Sequence, residues 1–205
     1  MGVDEAVRLH LATGTGLAII APTTLRSFLA HRARGIVDVG VLKRMALPVV
    51  AGVVVGSLVA RYSADSVLKW VWVVMGTFLA LRMFLSRDDW RLGPDIPKSF
   101  AVDAYGVAIG TISTLMSIGG GAYVVMLMTL YGRSLHQAVA TSSGFGPLIA
   151  IPGMLGFMWA GWGAPGLPPG SIGYVSLIGA ALAIPTGLLA APLGARVSHG
   201  LSKRG

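Results

Sequence analysis

Apolar residues in this chain gather into long runs, and charged residues collect between them. The first run extends from Leu11 to Ala30, the second from about Met45 to Ala60, and the third from Ser66 to Leu85. After a polar connector come Phe100–Tyr131, Ala138–Ala160 and Ser171–Ala195. About 20 helical residues cross a hydrocarbon core of ~30 Å. In that environment a segment must satisfy its own backbone hydrogen bonds. The pattern therefore predicts an all-α fold, a polytopic transmembrane helical bundle of about six membrane segments.

The run from Phe100 to Tyr131 is longer than one crossing needs. Three consecutive glycines, Gly119, Gly120 and Gly121, sit near its middle. Each disfavours a helix by roughly 1 kcal/mol relative to alanine. Broken helices persist at membrane depth where protein or a water-filled cavity satisfies the freed backbone groups. The run predicts a discontinuous helix lining a site, either tilted and broken or a span followed by a re-entrant piece. Amides exposed at such a break suit an anion. Elsewhere Gly52 and Gly56 share one helix face and predict close helix packing. Trp70 and Trp72 suit an interfacial belt.

Charge adds orientation. The formal net charge is +8, with only 12% charged residues. The positives lie between runs, so they read as loop charges and exclude a nucleic-acid partner. His31–Arg44 carries Arg32, Arg34, Lys43 and Arg44 against Asp38, which places it in the cytoplasm. Arg26 can snorkel to the same face. Ser86–Lys98 is a polar connector whose Arg87, Arg91 and Lys98 make it a second cytoplasmic candidate. A single crossing at the broken run leaves the basic segment Arg196–Arg204 outside, and a re-entrant excursion brings it inside. The predicted location is the inner cell membrane, with the lipid bilayer as partner. A homo-oligomer stays open.

Several chemistries drop out. There is no cysteine, hence no thiolate chemistry. His10, His31, His136 and His199 fall near run ends, where solvation is the ordinary reading, and their spacing suggests no metal site. No carboxylate lies deep in a run, so neither acid–base catalysis nor a carboxylate proton relay is predicted. An enzyme and a cofactor are not expected.

The chain also echoes itself. Leu11-Ala-Thr-Gly-Thr-Gly16 parallels Val139-Ala-Thr-Ser-Ser-Gly144, and Gly52-x-x-x-Gly56-Ser parallels Ala190-x-x-x-Gly194-Ala. Transporters commonly carry such repeats, with the site at their interface. The reading is a first repeat over 1–86, a connector over 87–99 and a second repeat over 100–205.

Gly106-x-x-x-Gly110-x-x-Ser113, then Ser117-Ile-Gly-Gly-Gly121 and Gln137-Ala-Val-Ala-Thr-Ser-Ser143, resembles the TauE/SafE family of sulfite and organosulfonate exporters. Leu11-Ala-Thr-Gly-Thr, Ala21-Pro-Thr and Ala30-His-Arg-Ala-Arg-Gly35 resemble the same family's first half. The resemblance implies a membrane transporter exporting a small anionic substrate. The amides of Gly119, Gly120 and Gly121 would bind its oxygens. Ser113, Ser117, Thr141, Ser142 and Ser143 would add hydroxyl donors, with Thr13 and Thr15 as first-half counterparts. Val124-Val-Met stands where the family's motif usually has a proline. No Gly-rich segment precedes Leu11 and no span follows Arg196. The expectation is a piece lacking elements at both ends that does not transport alone. A permease or channel for another solute or a cation, held by unwound carbonyls, is the alternative, as is a structural membrane subunit.

Overall fold

The computed structural model describes residues 3–85, 91–93 and 95–188. Expectations resting on Arg196, His199, Lys203, Arg204, the Ala190–Gly194 echo and the end of the last run lie outside those residues. A single 3-10 turn, Glu5–Val7, leads into α1 (Arg8–Ala33), α2 (Val39–Tyr62) and α3 (Asp65–Leu85). Then come α4 (Phe100–Met116), α5 (Gly121–Leu130) and α6 (Leu135–Ala160). A two-residue-per-strand hairpin, β1 (Ser171–Ile172) with β2 (Val175–Ser176), precedes α7 (Leu177–Leu188). By length and composition α2 and α6 are each apolar enough to cross a membrane.

Start signals in the sequence set the helix boundaries. Asp38 caps α2, its carboxylate accepting from the Val41 amide at 3.1 Å, and Ser134 caps α6 through the Gln137 amide. Ser176 caps α7 through Gly179. Where the sequence predicts one apolar run from Ser171, the chain first forms the hairpin and only then a helix.

Two ends of the bundle can be distinguished. Asp38, Arg44, Arg133 and the connector meet at one of them, the basic end. There Arg44 donates to Pro97 O at 2.8 Å, and Arg133 pairs with Asp95 at 2.9 Å. The far end holds Asp65, Arg61, the hairpin and the start of α1. Arg61 donates to Trp159 O and stacks on the Trp159 ring at 4.3 Å. Trp70, Trp72 and Trp162 are exposed towards the same end, as a tryptophan belt requires. Along α3, Val73, Val74, Phe78 and Leu81 are also exposed, a face suited to lipid.

α2 and α4 run parallel and very close. A Cβ on Gly52 would overlap Val107 O, and one on Gly110 would overlap Val49 O. Thr111 Oγ1 lies 3.0 Å from both Gly52 O and Val107 O and shares its proton between them. This is the close approach that Gly52 and Gly56 predict, with Gly106 and Gly110 as the facing surface.

α5 then returns to the end where α4 began. Leu92 N–H donates to Leu130 O at 2.7 Å, and Arg133, just beyond α5, meets Asp38 and Asp95. The broken run is therefore a re-entrant excursion. The ten residues of α5 span ~15 Å, about half a hydrocarbon core. Its turning point separates two cores. Val49, Val53, Ile109, Val124, Met128 and Phe145 pack towards the basic end. Leu17, Ala60, Leu68, Leu115 and Phe157 pack towards the far end.

This packing makes a testable contrast. Gly52→Val forces α2 from α4 and should cost about 1–3 kcal/mol or more. Gly76→Val, on α3 with nothing within 4 Å of the added carbon, should leave the melting temperature in detergent unchanged. Equal melting of the two variants would refute the close α2–α4 contact.

Candidate functional site

The turning point occupies Ser117–Gly120, the stretch where the glycines predict it. Ser117 closes α4 in the left-handed region at φ 55°, the one described non-glycine residue with positive φ. Gly119 and Gly120 follow at φ 69° and 73°. Side chains rarely adopt this conformation, and glycine adopts it freely. The glycines thus reverse the chain at mid-depth.

The reversal leaves amides uncommitted. Ile118 N–H and Ser117 N–H both donate to Ser113 O, and Val124 N–H donates to Gly120 O. Gly120 supplies no side-chain cap to α5. Among the described residues, the amides of Gly119 to Tyr123 donate to no acceptor outside a helix. They stand at the positive end of the α5 dipole.

Three buried hydroxyls lie on the last turn of α4, leading into the reversal. Ser113 and Thr114 are completely buried, and Ser117 Oγ is also shut off from solvent. None of the three has a hydrogen-bond partner. Ser113 Oγ lies 3.3 Å from the position a Cβ on Gly120 would take, and Ser117 Oγ packs against Gly16 of α1. Buried polar groups are ordinarily paired, so three orphaned hydroxyls along one side of α4 identify a polar locus in an apolar bundle. Thr114 is absent from the sequence-based set. Its spacing with Ser113 and Ser117, on adjoining helical positions, was the available signal.

The walls of the locus are close. Gly119 faces Ile20 of α1 and Gly146 of α6 at ordinary contact distance. A Cβ on Gly120 would come within 2.6 Å of Ile149 Cδ1. Gly120 is therefore required by φ, and a side chain there would also displace the tip of Ile149.

The other predicted donors do not converge here. Ser142 Oγ donates to Val139 O at 2.9 Å and Ser143 Oγ to Ala140 O at 2.6 Å, both within α6. Ser142 still lies near Gly121, with its Oγ 3.8 Å from a Cβ position there. Thr141 Oγ1 sits at the basic end and accepts the Asp38 amide at 2.9 Å. Thr15 Oγ1 sits at the far end and accepts the Ser176 amide, also at 2.9 Å. Thr13 is buried nearby on α1. The two threonines thus hold opposite ends of the bundle, each fixing the amide of a helix-capping residue.

The comparisons with known proteins agree with this membrane architecture. The sequence profile of the family described as "Sulfite exporter TauE/SafE" matches residues 4–205. A "Probable membrane transporter protein" of Haemophilus influenzae is 30% identical over 178 residues, covering 85% of this chain and 66% of its own length. A "Probable membrane transporter protein" of Methanocaldococcus jannaschii is 24% identical over 210 residues, covering 99% of this chain and 74% of its own. This chain therefore spans slightly less than two thirds of the Haemophilus relative. No solved structure matches it.

The threonine clasps carry a stability test. Thr141→Val and Thr15→Val each leave a part-buried amide without its acceptor, at a cost of about 1 kcal/mol. Both should lower the melting temperature, while Ser143→Ala, which removes only a bond within its own helix, should not. Unchanged melting in both valine variants would show that these bonds do not hold the ends.

Proposed function

From the premise that this chain belongs to the sulfite exporter TauE/SafE family, a family of multi-pass membrane transport proteins, we propose that it serves in the transport of a small anion. The substrate class is a sulfur oxyanion or an organosulfonate, and the direction is export across the inner cell membrane. The observation that carries this reading is the turning point at Ser117–Gly120. Uncommitted amides meet the unpartnered hydroxyls of Ser113 and Ser117 there, and the unpartnered Thr114 hydroxyl adjoins them on α4.

The chemistry follows from those groups. A sulfur oxyanion presents several charged oxygens and needs several donors. Backbone amides at a helix start and neutral hydroxyls supply donors with little fixed charge, so the anion is bound without being trapped. Ser113, Ser117 and the amides of Gly119, Gly120 and Gly121 form the inner set in this proposal. Thr114 joins them, and Ser142 reaches Gly121 from α6. Thr13, Thr15, Thr141 and Ser143 take supporting places, because Thr15, Thr141 and Ser143 are engaged with backbone partners.

We also propose two halves of opposite direction. α1 and α6 pack antiparallel, as Leu17 beside Gly153 and Thr24 beside Gly146 indicate. Thr15 of α1 grips the cap of α7, and Thr141 of α6 grips the cap of α2. This reciprocity supports the repeats read over 1–86 and 100–205, since inverted halves exchange such contacts across a pseudo-twofold axis.

The test is flux of labelled sulfite, sulfate and taurine in vesicles bearing the full-length protein. One of them should show trans-stimulated exchange. Bonds to a charged group are worth about 1.5–3 kcal/mol, so Ser113→Ala and Ser117→Ala should each weaken apparent affinity roughly 10- to 100-fold. Wild-type affinity in both variants would remove the site from the turning point, and flux of none of the three anions would defeat the substrate class.

A further inference from the structure

A second polar locus lies at the far end, away from the turning point. His10 is 1% exposed, and its Nδ1 is 2.8 Å from Asp65 Oδ1. The same carboxylate accepts the amides of Leu9 at 3.0 Å and His10 at 3.1 Å. Asp65 thus caps α1 from the first turn of α3. Tyr174 of the hairpin lies over the imidazole, with ring centroids 4.7 Å apart. The solvated histidine expected at this run end is instead enclosed by three elements.

The bonding fixes the state of the ring. An ionised carboxylate only accepts, so Nδ1 must carry the hydrogen. In the neutral ring Nε2 is then a bare acceptor, and it is buried with no partner. The amide bonds to Asp65 already cap α1, so the imidazole is not needed for that purpose. What it adds is a basic nitrogen held beside a carboxylate and shielded from water.

We propose that His10, countered by Asp65, is a proton-binding site through which transport is coupled to the pH at the far end. This rests on the transport reading above. The proton enters at Nε2 and makes an imidazolium, whose charge Asp65 offsets through the Nδ1 bond. Histidine is the side chain whose ordinary titration falls in the physiological range, and enclosed ionisable groups in membrane proteins commonly mark ion paths.

Among the described residues, the surrounding charges are few. From α2, Arg61 is engaged with Trp159. From α3, Lys69 is exposed, and from the first turns Glu5 and Arg8 pair with each other in solvent. From the hairpin, the Tyr174 hydroxyl is raised above its ordinary value, by burial first and then by Asp65, with Arg61 opposing. Tyr174 is therefore neutral across the physiological range, and Asp65 is the counter-ion.

His10→Asn separates titration from structure. Its carboxamide nitrogen can occupy the place of Nδ1 and keep the bond to Asp65, but it takes up no proton. Two measurements on the full-length protein decide the matter. The first follows histidine ring signals by NMR in lipid nanodiscs between about pH 5 and 8, with His10 identified by its loss in His10→Asn. His10 should titrate, and a signal constant across the range would overturn the proposal whether or not any anion is moved. The second compares sulfite, sulfate and taurine flux in vesicles with and without a proton gradient. The gradient should accelerate wild-type flux and not that of His10→Asn, while exchange without a gradient persists in both. Gradient dependence retained in His10→Asn would defeat the coupling alone. Flux of no anion in the wild type would defeat the transport reading and the coupling with it.

Discussion

Reversing a helix inside a bilayer without leaving its backbone groups stranded is the constraint on which this structure depends. A chain that turns at mid-depth must abandon several amide and carbonyl partners where water is scarce. Here Ser113 O collects two amides, Gly120 O collects one, and among the described residues the first amides of α5 meet no acceptor outside a helix. Positive φ at Ser117, Gly119 and Gly120 makes the reversal tight enough to fit between α1 and α6. The two hydrophobic cores divide at this level because the polar turn interrupts the apolar packing.

The remaining architecture keeps that turn enclosed. α4 must lie close to α2 for its end to reach the centre, and Gly52, Gly106 and Gly110 permit the approach. α6 must present a small residue where the turn presses against it, and Gly146 does so beside Gly119, while Gly153 admits Leu17 of α1 and Thr114 of α4. With lipid as solvent, helices gain little from hiding apolar surface from one another, so contact depends on such small residues and on hydrogen bonds between helices. The Thr111, Thr141 and Thr15 bonds serve the second purpose at the middle and at the two ends.

Much of this was legible in the sequence where a signal was local. The run from Ser66 became α3 from Asp65, and the triple glycine marked the break to within two residues. Gly52 and Gly56 announced a close helix contact, though not its partner. What escaped depended on distant pairings or local competition. Ser142 and Ser143 resemble site donors in any motif, yet each spends its hydroxyl on its own helix, as such residues readily do. Thr15 and Thr141 belong to similar motifs, and only the antiparallel packing of α1 and α6 reveals that they stand at opposite ends. His10 reads as solvated because its partner, Asp65, lies far along the chain and behind a loop.

The two polar loci differ in a way that fits a division of labour. At the turning point the unpartnered side-chain groups are neutral hydroxyls, so an anion bound there would be met by dipoles. At the far end the His10–Asp65 pair carries ionisable charge, and no carboxylate is among the groups at the turn. A carboxylate beside the turn would repel an anion at ~1 kcal/mol even in water at 4 Å, and by several times more in a protein interior. Holding the proposed proton site apart from the proposed donor set would let both exist in one chain. α1 connects them, carrying His10 at its start and Gly16 against Ser117 less than two turns later. A shift of α1 along its axis would therefore be felt at both loci, and under the proposed coupling this helix would be the physical link between protonation at one end and binding at the centre.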